Sequence, residues 1–442
     1  MSREFINYVP RMSRLLQPVK SIPKGGTVKS VSASRSYQLM LDMGVIRQSL
    51  PGMYTLLPLG YRALEKLKRI VNVSMTNIGA QEILLPNLTD SKLWKQTGRL
   101  NEMGDELFQV KDRHNHNYVL SPTYEESITS LVADVQPRMS SLPLLLYQIS
   151  NKWRDEMKPR LGLFRGREFV MKDLYSFDAS TDSAERTYEI VAEAYRNILD
   201  HIGVPYSVVE GDTGIMGGIL SHEYHYLADI GEDTIVSCNV CNFRINSAIH
   251  DGDTCKKCGG EINKKSAIEI AHTFLLGTKY SEVLKAKVHT QGEEIPLVMG
   301  CYGLGLTRLL AASLEVLSTN EELKWPKALA PYTVCVIPPK ENSKESSAAH
   351  FVDEIVENLA ERNIDMILDD RTQLTIGRRM LDAKRTGYPY VVVVGKCSMQ
   401  ENPLFEFHDV NEGQRQDVSL DQLYGIFDNS DSGKQRRRQI AV

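Results

Sequence analysis

A cluster of charged residues in one segment, residues 152–178, carries the most chemical information in this chain. Arg154 and Glu156 open the segment, and an apolar-alternating run closes it. The connection between them is rich in cations, namely Lys158, Arg160, Arg165 and Arg167. Two β-prone stretches joined by a cationic loop predict an antiparallel hairpin that presents positive charge to an anionic ligand. A solvated hairpin with a charged tip fits the same pattern.

A second cation lies far downstream, at Arg308 in residues 299–310. Small residues precede it, and the rest of the run is apolar and helix-like. An arginine inside an apolar helix is costly unless it has an anionic partner. Arg308 therefore favours the interpretation in which the two cationic elements serve one anionic ligand.

Two polar residues, Thr123 and Glu125, lie where a further helix is predicted to begin. Ser121 or Thr123 could cap that helix, and an acidic residue in its first turn suits the helix dipole. Capping is therefore one interpretation of this pair, and a polar binding site is the other.

Four of the seven cysteines form two pairs with CxxC spacing, Cys238 with Cys241 and Cys255 with Cys258. The chain shows no secretory hydrophobic segment, so such pairs indicate metal ligands rather than disulfides. Four thiolates on two tight turns satisfy tetrahedral geometry, and the spacing predicts a structural zinc site.

The elements that must position these residues are indicated by hydrophobic periodicity. Helical spacing predicts a helix over 60–79, followed by the strand-like run EILLPNL. A capping box predicts a helix from Asp182 to Gly203, and 267–281 alternates as a strand does. Beyond residue 332, strand and helix patterns alternate, which predicts a small α/β domain with at least partly parallel strands.

The segments at 152–178 and 299–310 together resemble motifs 2 and 3 of the class II aminoacyl-tRNA synthetases. Their wording, RDE…RGREFVMKDLYSF and MGCYGLGLTR, is similar in particular to the bacterial-type prolyl-tRNA synthetases, including the mitochondrial forms. The resemblance runs from about residue 36 to about residue 395. Most bacterial members carry a large inserted editing domain where this chain has only the short Cys-rich connection. The cysteines could therefore be remnants beside a lost insertion instead of zinc ligands.

The resemblance implies a site for ATP and Mg²⁺. Arg154 would hold the α-phosphate and the proline carboxylate, and Arg308 is the second catalytic cation. The other ATP-binding residues that it implies are Glu156 at the adenine amino group, Phe169 stacking opposite Arg308, Arg165 at the outer phosphates, and Glu269 and His272 near ATP or its magnesium.

The resemblance also implies a pocket for L-proline. The secondary ammonium of proline carries two N–H donors and asks for paired acceptors, which Thr123 and Glu125 would supply. Phe274 would form a wall of the pocket, and His222 would line it. The tRNA partner, tRNA(Pro), follows from the same resemblance.

The domain organisation follows from the same comparison. It implies an α+β catalytic domain over 36–326 that is built on an antiparallel sheet, with the Cys-rich connection at 234–262. A C-terminal α/β anticodon-binding domain would cover 327–428. The helix at 60–79 and the run EILLPNL at 82–88 resemble motif 1, which implies a homodimer.

The two ends of the chain suggest where the protein works. Residues 1–35 are basic, contain serine and hold only Glu4 as an acid, which predicts an organellar transit peptide or a disordered arm. Residues 429–442 form a basic tail. We expect the mitochondrial matrix, with the cytoplasm as the alternative. No apolar run is long enough to cross a bilayer, so no membrane partner is expected.

Two alternatives remain open at this point. A non-catalytic, nucleic-acid-binding relative of these enzymes would keep the fold but would not need Arg154, Glu156 and Arg308 together with Thr123 and Glu125. A sibling class IIa synthetase, such as the threonyl enzyme, would need a catalytic zinc held by Cys and His, for which Cys301 has no obvious histidine partner in the sequence.

Overall fold

The computed structural model describes residues 9–19, 34–250, 252–290 and 292–428. Over these residues the chain forms a large N-terminal unit and a smaller C-terminal unit. The predicted basic tail lies outside the described residues, as do the first eight residues and residues 20–33 of the predicted transit peptide. No helix in the described ranges is long and apolar enough to span a bilayer.

The N-terminal unit combines sixteen strands with eight helices. Its strands are β1 (Ile46–Leu50), β2 (Met53–Leu56), β3 (Gln81–Glu82), β4 (Leu88–Asp90), β5 (Gln109–Lys111), β6 (Asn117–Leu120), β7 (Leu144–Trp153), β8 (Glu168–Asp178), β9 (Ser207–Glu210), β10 (Leu220–Leu227), β11 (Asp233–Cys238), β12 (Arg244–Asn246), β13 (Ile262–Gly277), β14 (Lys287–Thr290), β15 (Glu293–Pro296) and β16 (Val298–Gly305). Its helices are α1 (Arg35–Asp42), α2 (Pro58–Asn77), α3 (Ser91–Gln96), α4 (Arg99–Met103), α5 (Glu125–Val135), α6 (Thr181–Ile202), α7 (Lys279–Leu284) and α8 (Leu306–Leu317).

A nine-stranded sheet organises this unit, in the order β10-β9-β12-β11-β13-β16-β8-β7-β3. Its long central strands β13, β16, β8 and β7 are antiparallel, which confirms the predicted antiparallel core. The hairpin predicted at 152–178 is also confirmed, because β7 and β8 pair from Leu144 with Phe177 to Trp153 with Glu168. The cationic loop is therefore held between the ends of two strands at the centre of the sheet.

Three helices cover one face of this sheet and bury its apolar side chains. The apolar stripes of α2, α6 and α8 join sheet residues such as Leu174 and Leu304 in one buried cluster. Helix α6 ends at Gly203, whose left-handed conformation terminates it as predicted, but the expected capping box at Asp182 is wrong. Ser180 is the cap instead, and its side chain accepts a hydrogen bond from the Ser183 amide.

The strand-like run EILLPNL forms less β-strand than its composition predicts. At its start, Gln81–Glu82 pairs in parallel with β7, and the next strand begins only at Leu88. Pro86 lies between the two and has no amide hydrogen to give to a ladder, which accounts for the interruption.

The C-terminal unit is an α/β domain with a mixed sheet. Its strands are β17 (Val334–Ile337), β18 (Met366–Leu368), β19 (Tyr390–Val393), β20 (Phe405–Asp409) and β21 (Gln414–Val418), and its helices are α9 (His350–Glu361), α10 (Ile376–Thr386) and α11 (Leu420–Asp428). The order is β18-β17-β19-β20-β21. The first three strands are parallel, as expected from the alternation, and β20 and β21 add an antiparallel hairpin.

The amino-terminal segment differs from the loose arm that its composition predicts. Residues 9–19 pack against the folded chain, where Val9 and Met12 are buried and Arg11 forms a parallel bridge with Leu368. The basic residues of this segment stay at its surface, so a composition typical of a transit peptide coexists with an ordered segment.

Candidate active site

A cavity of about 290 Å³ opens over the central strands of the nine-stranded sheet. Nine of the residues predicted from the sequence line it: Thr123, Arg154, Glu156, Arg165, Phe169, Glu269, His272, Phe274 and Arg308. They come from β8, β13, α8, the hairpin loop and the loop before α5, and antiparallel pairing of the central strands brings these distant segments together.

Arg154 follows the last residue of β7, and its amide still bonds to the Arg167 carbonyl at 2.9 Å across the hairpin. Its guanidinium lies 5.1 Å from the centre of the Phe169 ring. Burial and the positive charge of Arg308 lower the pKa of Arg154. The buried Nε of Arg154 has no hydrogen-bond partner in the described part of the chain. Two cations that repel each other at one cavity create a strong requirement for an anionic ligand.

Arg308 lies in the first turn of α8 and points towards the cavity instead of being enclosed in the helix, as the apolar run suggested. Its side chain is 34% exposed. Nε donates to the Phe164 carbonyl at 2.9 Å, and Nη1 donates to the Glu269 carbonyl at 3.2 Å. These bonds fix the orientation of the guanidinium while leaving one edge accessible.

Strand β13 places Glu269 on the same face as His272 and Phe274. A bulge interrupts its pairing with β10, because Tyr224 faces Ala271 while His225 faces Glu269. The extra residue shifts the alternation of side chains by one position, so Glu269 faces the cavity together with His272 and Phe274. The sequence alternation alone would have placed Glu269 on the opposite face.

These three side chains form an ordered wall of the cavity. His272 Nδ1 lies 2.9 Å from a Glu269 carboxylate oxygen, and its ring stacks on Phe274 with centroids 3.9 Å apart. Burial raises the pKa of Glu269, but the hydrogen bond to His272 and the charges of His272 and Arg308 outweigh it and lower the pKa to about 2. Glu269 is therefore a carboxylate at neutral pH.

The opposite end of the cavity is built around Glu125, which is completely buried directly behind it. Glu125 Oε1 accepts from Thr123 Oγ1 at 2.8 Å and from the Cys301 thiol at 3.0 Å. Thr123 does not cap α5, because the cap position is Tyr124 and no side chain caps it, whereas Glu125 lies in the first turn as expected. Thr123 at the cavity wall and Glu125 behind it form a paired set of oxygen acceptors.

Arg99, which the sequence analysis did not select, holds this acceptor pair in place. It is 1% exposed, lines the cavity and donates to Glu125 at 2.9 Å and to both oxygens of Glu126 at 3.1 Å. Burial raises the pKa of Glu125, but the charge of Arg99 outweighs it and lowers that pKa. Burial raises the pKa of Glu126. No periodicity in the sequence distinguishes this arginine from a surface residue.

The hairpin loop lies beside the cavity, which its residue Arg165 lines. Glu232, a second residue that the sequence analysis did not select, binds this loop. Arg160 and Arg165 donate to its two carboxylate oxygens at 2.7 and 2.8 Å. Arg165 also donates to Glu156 at 2.7 Å. The cationic loop is thus ordered by acidic partners and is not a freely solvated tip.

Comparison with known proteins agrees with this arrangement. The model described as "tRNA synthetase class II core domain (G, H, P, S and T)" matches residues 108–317, and the model described as "Anticodon binding domain" matches residues 333–429. A Rattus norvegicus protein named "Probable proline--tRNA ligase, mitochondrial" is 46% identical over 86% of this chain and 82% of its own length. The chain belongs to the prolyl-tRNA synthetases.

More distant relatives extend this result. A Schizosaccharomyces pombe protein with the same name is 38% identical over 88% of this chain and 92% of its own length. A "Proline--tRNA ligase" of a Wolbachia strain is 34% identical over 89% of this chain and 94% of its own length. A Cryptosporidium parvum prolyl-tRNA synthetase, whose structure was solved with L-proline and AMP, shares the fold with a TM-score of 0.72 at 18% identity, over 91% of this chain and 78% of that one.

Two predicted pocket residues of this prolyl-tRNA synthetase do not line the cavity, Glu125 and His222. Glu125 lies behind Thr123, whereas His222 Nδ1 lies 2.8 Å from the Tyr188 hydroxyl, which in turn bonds to Thr273. Burial lowers the pKa of His222. The histidine therefore has the satisfied structural role that is common for a single buried His.

The four cysteines of the short connection converge in space. Their sulfur atoms all lie within 4.8 Å of one another, with Cys238 and Cys258 at 3.5 Å and Cys241 and Cys255 at 3.6 Å. Zn–S bonds of about 2.3 Å in a tetrahedron place sulfurs roughly 3.8 Å apart, so this donor set fits zinc. The threonyl type of site is not formed, since Cys301 bonds to Glu125 and not to a histidine.

Proposed function

We propose that this protein joins L-proline to tRNA(Pro) through a prolyl-adenylate in mitochondrial translation. The observation that carries the proposal is one cavity lined by Arg154, Arg308 and Thr123, with Glu125 buried behind Thr123 and hydrogen-bonded to it. Such a cavity offers two cations for a phosphate chain and a paired acceptor for an ammonium group. The accessory-protein alternative is not favoured, because a protein without chemistry has no need for both the cations and the acceptor pair.

In the first step, a carboxylate oxygen of proline attacks the α-phosphorus of ATP. The P–O bond to the β,γ-phosphates breaks, and pyrophosphate leaves with the electron pair. We assign Arg154 to the α-phosphate and to the proline carboxylate, because a planar guanidinium can bridge two oxygen groups. Because the Arg154 guanidinium is already ordered, it would stabilise the negative charge that develops on the oxygens of the α-phosphate.

We assign the adenine ring of ATP to a position between Phe169 of β8 and Arg308 of α8. Phe169 would stack on the ring, and Arg308 would make a cation–π contact with it. Glu156 would accept from the adenine amino group and Arg165 would contact the outer phosphates. In the structure these two side chains bond to each other. Nucleotide binding would therefore require Arg165 to exchange a carboxylate partner for phosphate.

Mg²⁺ prefers oxygen ligands, and Glu269 is an ionised, partly exposed carboxylate at the cavity. Glu269 therefore fits the ion and is the residue that would hold it. When bound, the ion would neutralise part of the phosphate charge. The hydrogen bond to His272 orients Glu269, and the charges of His272 and Arg308 keep it ionised.

In the second step, a hydroxyl of the terminal ribose of tRNA attacks the prolyl carbonyl, and AMP leaves with the electrons of the broken C–O bond. Thr123 and Glu125 would hold the secondary ammonium throughout, while Phe274, on which His272 stacks, would face the pyrrolidine ring as an apolar wall. The 333–429 unit would bind the anticodon region.

The proposed activity and its amino-acid specificity are tested by pyrophosphate exchange with proline, threonine, alanine and cysteine supplied one at a time. We expect the fastest exchange with proline, followed by charging of tRNA(Pro) and not of tRNA(Thr). A reaction without amino acid serves as the blank. Fastest exchange with threonine would assign the chain to a sibling specificity, and the absence of exchange with all four would support the accessory-protein alternative.

We also propose a homodimer. Two apolar side chains in the segment that resembles motif 1 are exposed, Leu84 by 78% and Leu88 by 45%. These two leucines are four residues apart, and exposed apolar side chains that form a contiguous patch mark an interface.

We propose a location in the mitochondrial matrix. The basis is the basic amino terminus together with the names of the Rattus and Schizosaccharomyces relatives, which are mitochondrial.

The cysteine cluster provides a separate prediction. We expect about one zinc ion per chain in protein purified without added metal, because the four thiolates already stand at tetrahedral spacing. Elemental analysis measures it, and Cys238→Ser with Cys258→Ser should abolish it. Cys397→Ser is the matched control, since that cysteine lies outside the cluster. Metal-free protein with unchanged stability would leave the cysteines as remnants beside the missing insertion.

A further inference from the structure

The segment at residues 9–19 is packed in a manner that its basic composition does not predict. It begins on the C-terminal unit, at the edge of the mixed sheet. The Pro10 carbonyl accepts from the Leu368 amide at 2.9 Å, and Arg11 bridges Leu368 in parallel. Since β18 is the edge strand, this segment covers hydrogen-bonding groups that would otherwise be open.

The next residues anchor the segment more firmly to the same unit. Ser13 donates to Asp370 twice, from its amide at 2.9 Å and from its hydroxyl at 2.6 Å. Met12 is buried in a cluster that contains Tyr388 of the C-terminal unit and Leu59 of the N-terminal unit. One methionine side chain thus contributes to an apolar core shared by both units.

The end of the segment contacts both units at once. Gln17 Nε2 donates to the Met43 carbonyl of the N-terminal unit at 3.0 Å and to Thr386 of the C-terminal unit at 3.2 Å. The Pro18 carbonyl accepts from Arg47 at 2.9 Å. Pro18 packs closely on Gly44, because a Cβ atom added to Gly44 would lie only 2.9 Å from the Pro18 ring.

We infer that residues 9–19 are retained in the mature enzyme as a strap that fills a groove formed jointly by the two units, so that any leader cleavage falls before Val9. A transit peptide must be unfolded for import and then lost. Loss of this segment would expose a sheet edge, leave Asp370 without Ser13 and open the shared core around Met12. The inference does not depend on which amino acid the enzyme activates.

The first experiment maps the amino terminus of the endogenous protein by mass spectrometry after chemical labelling of free α-amino groups. We expect the mature form to start at or before Val9. A mature form that starts after Val9 would overturn the inference, whatever its activity.

The second experiment compares two substitutions within the strap, Met12→Ser and Leu16→Ser. Met12 is 8% exposed and Leu16 is 64% exposed. We expect Met12→Ser to lower the midpoint of thermal unfolding by about 5 °C and Leu16→Ser to leave it unchanged, because only the first opens a shared apolar core. Equal midpoints for the two variants and the parent protein would show that the strap does not contribute to the fold.

Discussion

Arg154→Ala is expected to lower proline-dependent pyrophosphate exchange by about a hundredfold or more, the scale of losing one preorganised donor to a developing oxyanion. Arg154 lies at the cavity opposite Phe169, and the charge of Arg308 opposes its own. The charges of Glu269, Glu156 and Glu106 offset part of that repulsion, and a bound phosphate would offset more of it. The measurement is steady-state exchange at saturating ATP and proline.

The control for this prediction is Arg69→Ala, which removes an exposed arginine of α2 away from the cavity residues. Arg154→Lys adds a second comparison, since it keeps the charge but not the fork. We expect Lys to recover only part of the lost rate. Near-normal exchange by Arg154→Ala with an unchanged unfolding midpoint would refute the role assigned to this residue.

Local pattern was sufficient for the elements that bear the ATP residues. The β-prone stretches on the two sides of the cationic loop predict the β7–β8 hairpin, and glycine at 203 predicts the end of α6. Both depend on residues close in sequence. The β-bulge in β13 could not be predicted in this way, because it is a mismatch between two strands whose partners are some fifty residues apart.

The residues that the sequence analysis missed share one physical property, a partner distant in sequence. Glu232 is an ordinary acid until the hairpin loop brings Arg160 and Arg165 to it. His222 was expected in the pocket from the resemblance to known synthetases, yet its neighbour across the fold is Tyr188. The resemblance to known synthetases supplied roles for matched positions but none for these supporting residues.

Arg99 is the supporting residue with the largest expected effect. We predict that Arg99→Met raises the KM for proline by about ten- to a hundredfold and changes the KM for ATP little, because a charged hydrogen bond is worth about 1.5–3 kcal/mol. The guanidinium bonds to both Glu125 and Glu126. Without it, two buried carboxylates would face each other, and protonation of either would relieve their repulsion.

The chemistry of the proline ammonium makes this effect selective. Glu125 must be ionised and must face Thr123 to accept from the ammonium group, and Arg99 maintains both conditions. Tetrahydrofuran-2-carboxylate has the ring and the carboxylate of proline but no ammonium. Its inhibition constant should therefore be nearly the same for Arg99→Met and the parent enzyme, while affinity for proline falls.

A double variant distinguishes charge balance from simple loss of packing. Glu126→Gln removes the second carboxylate, so Arg99→Met combined with Glu126→Gln restores the original net charge of the cluster around Glu125. We expect this double variant to recover part of the proline affinity that Arg99→Met loses, even though it removes one more native bond. If the double variant is weaker than Arg99→Met, or if proline and the ammonium-free inhibitor lose affinity equally, Arg99 acts through packing alone. Recovery confined to proline would instead show that the guanidinium sets the charge of the acceptor to which the substrate amine binds.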